Sequence, residues 1–193
     1  MPSSATSPAL PAQLETLVQG FRRAKADARR LLGGSRQEQL SRRPAPNRWS
    51  ALECVGHLNL GNNLMLSAIK QAIAQGRQLP NTPNPKYKID LVGRLLAWSL
   101  EPPARMKFKA PAAISEPVAH ASPEETLAQF ERLQDELVDL LCSAAGLPID
   151  RWKMKSPFAN LRYSAYSAFA IIAAHNRRHL WQASKAVDSA AKT

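Results

Sequence analysis

The sequence predicts an all-α fold, a four-helix bundle, and three observations carry that prediction. Four stretches repeat apolar residues at intervals of three and four, the period that places them on one face of a helix. Helix-start and helix-stop residues sit at the ends of those stretches. No segment shows the strict alternation of a half-buried strand, and no internal repeat occurs. At 193 residues, with 45% apolar and 21% charged residues, the chain suits one packed domain rather than two.

Residues 1–10 are rich in Pro and Ser and read as a flexible N-terminal tail. The bundle domain is expected over 11–187, with a C-terminal tail over 188–193. The first helix starts at Pro11, since proline suits a first turn. Its core face is Leu14, Leu17, Val18, Phe21, Ala24, Ala28, Leu31 and Leu32, and Gly33-Gly34 ends it. A polar connection, Ser35 to Arg48, follows. Ser50 and Glu53 then form a capping-box signature, and the second helix runs to about Gln75, where Gly76 stops it.

Residues 77–122 are a long Pro-rich connection between helices 2 and 3. Pro80, Pro83, Pro85, Pro102, Pro103, Pro111 and Pro117 exclude a continuous helix, although Ile89–Leu100 reads as one short helix. Such a connection is either a crossover along the bundle or a lid over a site. Ser122-Pro123-Glu124-Glu125 is a second capping box that opens the third helix. That helix presents Leu127, Phe130, Leu133, Leu137, Leu140 and Leu141 and stops at Gly146-Leu147-Pro148. A linker with Trp152, Pro157 and Phe158 leads to the fourth helix, from about Ser164 to Val187.

The formal charge of +11 allows an anionic partner. The basic residues are scattered, however, and those that recur on one helix (Arg22, Arg23, Lys25, Arg29, Arg30) have no interleaved aromatics to stack on bases. A solvated basic face is favoured over nucleic-acid binding, which stays as the weaker alternative. Cys54 and Cys142 form no CxxC pair and fit a reducing compartment. The N-terminus lacks the pattern of a secretory signal, and no run of about 18 apolar residues exists to span a membrane. A cytoplasmic location is expected.

Of the four histidines, His175 and His179 lie four apart in the fourth helix, on one face and one turn from each other. Two imidazoles so placed can converge on a divalent metal. His57 sits two turns inside the second helix, on a face it shares with Cys54, Gly61 and Leu64. It reads either as a hydrogen-bonded core histidine or as a third ligand. If the two helices are neighbours, three imidazoles meet in the bundle interior and leave a coordination position open, as in catalytic sites. Zinc or nickel suits such a nitrogen set. His120, in the Pro-rich connection, reads as a surface residue.

Asn47-Arg48-Trp49-Ser50-Ala51-Leu52-Glu53-Cys54-Val55-Gly56-His57-Leu58 resembles the second-helix motif of the DinB/YfiT-like family. His175-Asn176-Arg177-Arg178-His179-Leu180-Trp181-Gln182 resembles its fourth-helix motif, and Ser156-Pro157-Phe158 the turn that precedes that helix. The similarity spans roughly residues 12–187. It implies an up-down-down-up course, a divalent metal on His57, His175 and His179, and a homodimer. It also implies a metal-dependent enzyme of S-transferase or hydrolase type acting on a small molecule, with a low-molecular-weight thiol as a candidate co-substrate. A non-catalytic small-molecule or metal-binding module is the alternative. Gln182 matches a position near the site. Glu53 reads as a capping residue or as a base or partner of a ligand, and Cys54 as a buried apolar residue or a thiolate ligand. Gly61 leaves room for substrate or for close helix packing. Arg177 and Arg178 are expected to point away from the histidine face into solvent, with one able to bind a carboxylate at the rim.

Overall fold

The computed structural model describes residues 10–78, 86–103 and 121–191. The expected N-terminal tail up to residue 9, His120 and much of the Pro-rich connection lie outside the described residues. Three of the four long helices begin where a side chain satisfies unpaired N–H groups. Ser50 accepts from the Glu53 N–H and Glu53 accepts from the Ser50 N–H, which starts the helix Ala51–Gly76. The Ser122 and Glu125 pair does the same for Pro123–Ser143. Ser164 caps Ala165–Ala190, and Pro11 precedes Ala12–Gly33. With two shorter helices, Gln37–Ser41 and Leu91–Leu100, the helices are α1 (Ala12–Gly33), α2 (Gln37–Ser41), α3 (Ala51–Gly76), α4 (Leu91–Leu100), α5 (Pro123–Ser143) and α6 (Ala165–Ala190).

Cross-helix pairs set the direction of each long helix. Lys25 meets Asp135 and Arg29 meets Glu131, so α1 and α5 are antiparallel. Asn59 donates to the Thr126 carbonyl and Lys70 pairs with Glu136, so α3 and α5 are parallel. His57 faces His175 whereas Met65 faces Tyr163 ahead of α6, so α3 and α6 are antiparallel. The course is up, down, down, up. Two consecutive parallel helices need a return crossover. α3 has 26 residues and is about 39 Å long, which explains the length of the 77–122 connection. Within it, α4 packs along α6.

The core falls into two apolar clusters. One contains Phe21, Ile69, Leu137 and Phe169, the other Ala28, Cys54, Leu58 and Phe130. Between them lies a buried polar layer of His57, Asn62, Gln134, Asn176 and His179. Three cations of the basic face of α1 are paired: Lys25 with Asp135, Arg29 with Glu131 and Arg30 with Asp27. Among the described residues no helix is long and apolar enough to cross a membrane.

The structure departs from the sequence reading in three places. The polar connection after α1 contains α2, anchored by the buried Leu40. The linker before α6 contains an antiparallel hairpin, β1 (Lys153–Lys155) with β2 (Arg162–Ser164). Strands of three residues are too short to show periodicity, and tertiary contacts make them. The last helix continues to Ala190, beyond the expected Val187, because Ala186 is still packed in the core.

Asp90 ties these outer parts together. One carboxylate oxygen accepts from the Gly93 N–H and caps α4. The other accepts from the Ser164 N–H at 2.6 Å and from Lys153 at 2.7 Å. Gly93 makes the approach of α4 possible, since a Cβ there would lie 2.3 Å from the Ser167 Cβ. Burial by itself would raise the Asp90 pKa, but hydrogen bonds from Lys153, Gly93 and Ser164 together bring it below the usual 3.8. Its stabilisation is therefore present at neutral pH and is lost as pH falls below that value. Asp90→Ala is expected to cost about 2 kcal/mol, from an uncapped α4 and a Ser164 N–H left without an acceptor. Urea unfolding at pH 7 and pH 3 checks this, and a difference between wild type and variant that does not shrink at the lower pH would contradict it.

Candidate metal centre

α3 and α6 bring the three predicted histidines together. The Ser50 cap sets the register that turns His57 inward, and the four-residue spacing on α6 turns His175 and His179 toward it. One nitrogen from each ring lies within 4.8 Å of the others. His57 Nε2 and His175 Nε2 are 3.2 Å apart, and the three ring centroids are separated by 4.5 to 5.1 Å. Trp49, just before the α3 cap, covers the group, with ring centroids 4.7 Å from His57 and 5.8 Å from His179.

The electrostatics keep His175 and His179 neutral. Burial, and then the neighbouring His57 and Arg178, push His175 down to about 3. His179 is held well below 6.5 by burial first, then by His175, His57 and Arg178, with a Gln182 hydrogen bond as the opposing influence. Neutral imidazoles are the form that binds metal. The buried His179 Nδ1 has no hydrogen-bond partner.

The cluster forms one end of a cavity of about 430 Å³ between α3, α4, α6 and the hairpin. Leu96, Leu100, Phe158, Leu161, Ile171 and Ile172 supply its apolar wall. Among the described residues, none from α1 or α5 lines it. The site thus opens on the α3–α6 seam toward α4. Gly61 lies against His175, where a Cβ would be 3.4 Å from Cε1. The His175 ring, rather than open space for a substrate, lies over this glycine.

A model of the DinB superfamily matches residues 20–183. The chain belongs to the DinB superfamily. No curated protein matches its sequence. Among solved structures it is similar to YfiT from Bacillus subtilis, described as a probable metal-dependent hydrolase with an unusual four-helix bundle topology. The TM-score is 0.57 at 15% identity, over 94% of this chain and 90% of that one. At that identity the likeness speaks for the fold alone.

The other candidate residues of this DinB-superfamily chain separate clearly. Gln182 lines the cavity beside His179. Glu53 does not line it. Its carboxylate closes the capping box and pairs with Arg43, with Nε–Oε distances of 2.9 Å. Cys54 is fully buried, burial followed by the Glu53 charge raises its thiol to about 12, and it neither lines the cavity nor joins the three-histidine group. Arg177 is exposed and pairs with Glu101. Arg178 instead lines the cavity, contrary to the expectation that both arginines face solvent.

Sequence reasoning missed Asn62 and Asn176. Asn62 Nδ2 donates to Asn176 Oδ1 at 3.0 Å, and Asn176 Nδ2 donates to Gln134 Oε1 at 2.8 Å, which joins α3, α6 and α5 beside the histidines. A polar residue in a core register was the available signal, since Asn176 falls between Ala173 and Leu180 on the packed face of α6. It also missed Tyr163, which lines the cavity and whose pKa burial raises.

Two outcomes follow for the metal-free protein. The unfolded chain takes up protons on His175 and His179 near their ordinary 6.5, whereas the folded chain resists until far lower pH. Stability therefore falls as pH drops below about 6.5. A thermal midpoint that is flat from pH 7 to pH 5 would contradict this. A thiol-reactive chromophore should label Cys142, which is exposed, promptly and Cys54 only on unfolding.

Proposed function

We propose that this chain binds a divalent metal through His57, His175 and His179 and is a metal-dependent enzyme acting on a small molecule in the adjoining cavity. The observation that carries this reading is the convergence of three imidazole nitrogens within 4.8 Å at the end of a largely apolar cavity. The fit is chemical as well as geometric. The rings of His175 and His179 are held neutral, the buried His179 Nδ1 has no hydrogen-bond partner, and no Asp or Glu lines the cavity among the described residues. An all-nitrogen set suits zinc or nickel. When bound, such an ion supplies Lewis acidity and a site at which a water or thiol is more acidic than in bulk.

The chain's own groups would do the rest. Gln182 and Asn62 can orient a polar reactant by hydrogen bonding. Tyr163, whose pKa burial raises, stays protonated at neutral pH and can offer its hydroxyl as a hydrogen-bond donor. Trp49, Phe158 and the α4 side chains exclude water from the reacting groups. Hydrolysis accords with the description of YfiT, and thiol-dependent S-transfer with the motif resemblance. The proposal extends to a homodimer in the cytoplasm, which light scattering of the purified protein and cell fractionation would read.

Elemental analysis of protein purified without chelator tests the metal reading. One equivalent of zinc or nickel per chain is expected in wild type. His57→Ala, His175→Ala and His179→Ala should each lose most of it while keeping their helical circular dichroism. Unchanged metal content in His179→Ala, or metal-free wild type that takes up none on titration, would overturn the reading. Screening the loaded protein with ester or amide substrates, and separately with a thiol and an electrophile, then separates hydrolase from transferase.

A further inference from the structure

α4 is apolar on two faces, and the fold covers one of them. Val92, Leu96 and Leu100 are partly buried against the core. Leu91, Leu95 and Trp98, at intervals of four and three, share the opposite, outer face. They are 79%, 61% and 49% exposed, more than any other large hydrophobic side chain among the described residues.

Cations surround this stripe. Arg94 shares the outer face, and Lys86 and Lys88 lie just ahead of the helix. The hairpin runs alongside: Lys153 reaches Asp90 at the start of α4, and Phe158 and Leu161 line the same cavity as Leu96 and Leu100. Its strands turn Met154 and Tyr163 inward, so Lys153 and the cross-strand pair Lys155 and Arg162 face outward. All six cations are exposed. The nearby acids Asp90, Asp150 and Glu101 are half-buried, and Asp90 and Glu101 are engaged by Lys153 and Arg177. Lys86, Lys88, Arg94, Lys155 and Arg162 have no acidic partner among the described residues, unlike Lys25, Arg29 and Arg30 of α1.

We propose that the outer face of α4, with the outward face of the hairpin, docks on an anionic lipid surface. Leu91, Leu95 and Trp98 enter the interface, and the cations meet the headgroups. Burial of the apolar stripe and attraction to anionic lipid together are what hold an amphipathic helix on a bilayer. A second copy suits the face less, since a two-fold contact would set these cations against themselves. Nucleic acid would meet the cations and leave the leucines unused. The contact is peripheral, because no described helix is long and apolar enough to cross a bilayer. It needs neither the metal nor the cavity, which Leu96 and Leu100 line from the other side of the helix.

Co-sedimentation with vesicles of phosphatidylcholine, and of an equal mixture of phosphatidylcholine and phosphatidylglycerol, tests the docking. Wild type, chelator-treated or zinc-loaded, should bind the anionic vesicles about tenfold or more strongly than the neutral ones, and high salt should erase most of that difference. Leu91→Glu with Leu95→Glu should lose about tenfold or more of the binding, and so should Lys155→Glu with Arg162→Glu. Both pairs of side chains are exposed, so helical circular dichroism should be unchanged. Absence of binding to anionic vesicles, equal binding to neutral ones, or binding indifferent to the leucine variant would overturn the proposal. A wild-type dimer that ignores vesicles and becomes monomeric in the leucine variant, read by light scattering, would overturn it in favour of a contact between copies. Retention by a DNA duplex in place of vesicles would overturn it as well. Vesicle binding by protein that takes up no metal would uphold the docking while the metal reading failed.

Discussion

The constraint on which the structure depends is the burial of a polar layer inside a small helical bundle. His57, Asn62, Gln134, Asn176 and His179 are each less than a tenth exposed, at the level where α3, α5 and α6 meet. Removing so many polar groups from water is unfavourable unless they satisfy one another. The amide chain Asn62–Asn176–Gln134 does so in part across three helices, with Asn62 Oδ1 and Gln134 Nε2 at its two ends left without a partner. A one-residue slip of any of them would set amides against leucine side chains, so the layer sets helix register as well as site geometry. The apolar clusters on either side provide the favourable burial that offsets it.

The parts outside the four long helices are organised around that layer. α4 and the hairpin form the walls of the cavity into which the histidines open, and Asp90 binds the start of α4 to the start of α6. The same carboxylate pairs with Lys153 of β1. A single acidic side chain thus fixes both walls relative to the helix that carries His175 and His179. Among the described residues that line the cavity the polar groups are imidazoles, amides, hydroxyls and two cations.

Local signals in the sequence foretold local structure well. Both capping boxes, the Ser164 start of α6 and the glycine stops lie where short-range spacing places them, because a cap involves residues three apart and little else. The pairing of His175 with His179 was legible for the same reason. That His57 joins them depended on which helices are neighbours, and spacing alone left this open. α2 and the hairpin were illegible because tertiary packing, not periodicity, forms them. Arg178 was misread because it lies on the flank of the histidine face. Whether that flank meets water or protein depends on α4, which is distant in sequence. Glu53 carried two readings with one pattern, and the position of Arg43 separates them.

The parallel pairing of α3 with α5 has a kinetic consequence. His57 and His175 are 118 residues apart in the chain, and no early-made segment contains both. On the ribosome, the face of α3 that meets α6 stays uncovered until α6 has emerged, even after α5 has covered the neighbouring face. Loop closure on that scale raises the contact order and slows folding relative to a bundle of successive hairpins. The imidazole cluster is therefore among the last features the nascent chain completes, and its assembly marks the end of folding rather than its beginning.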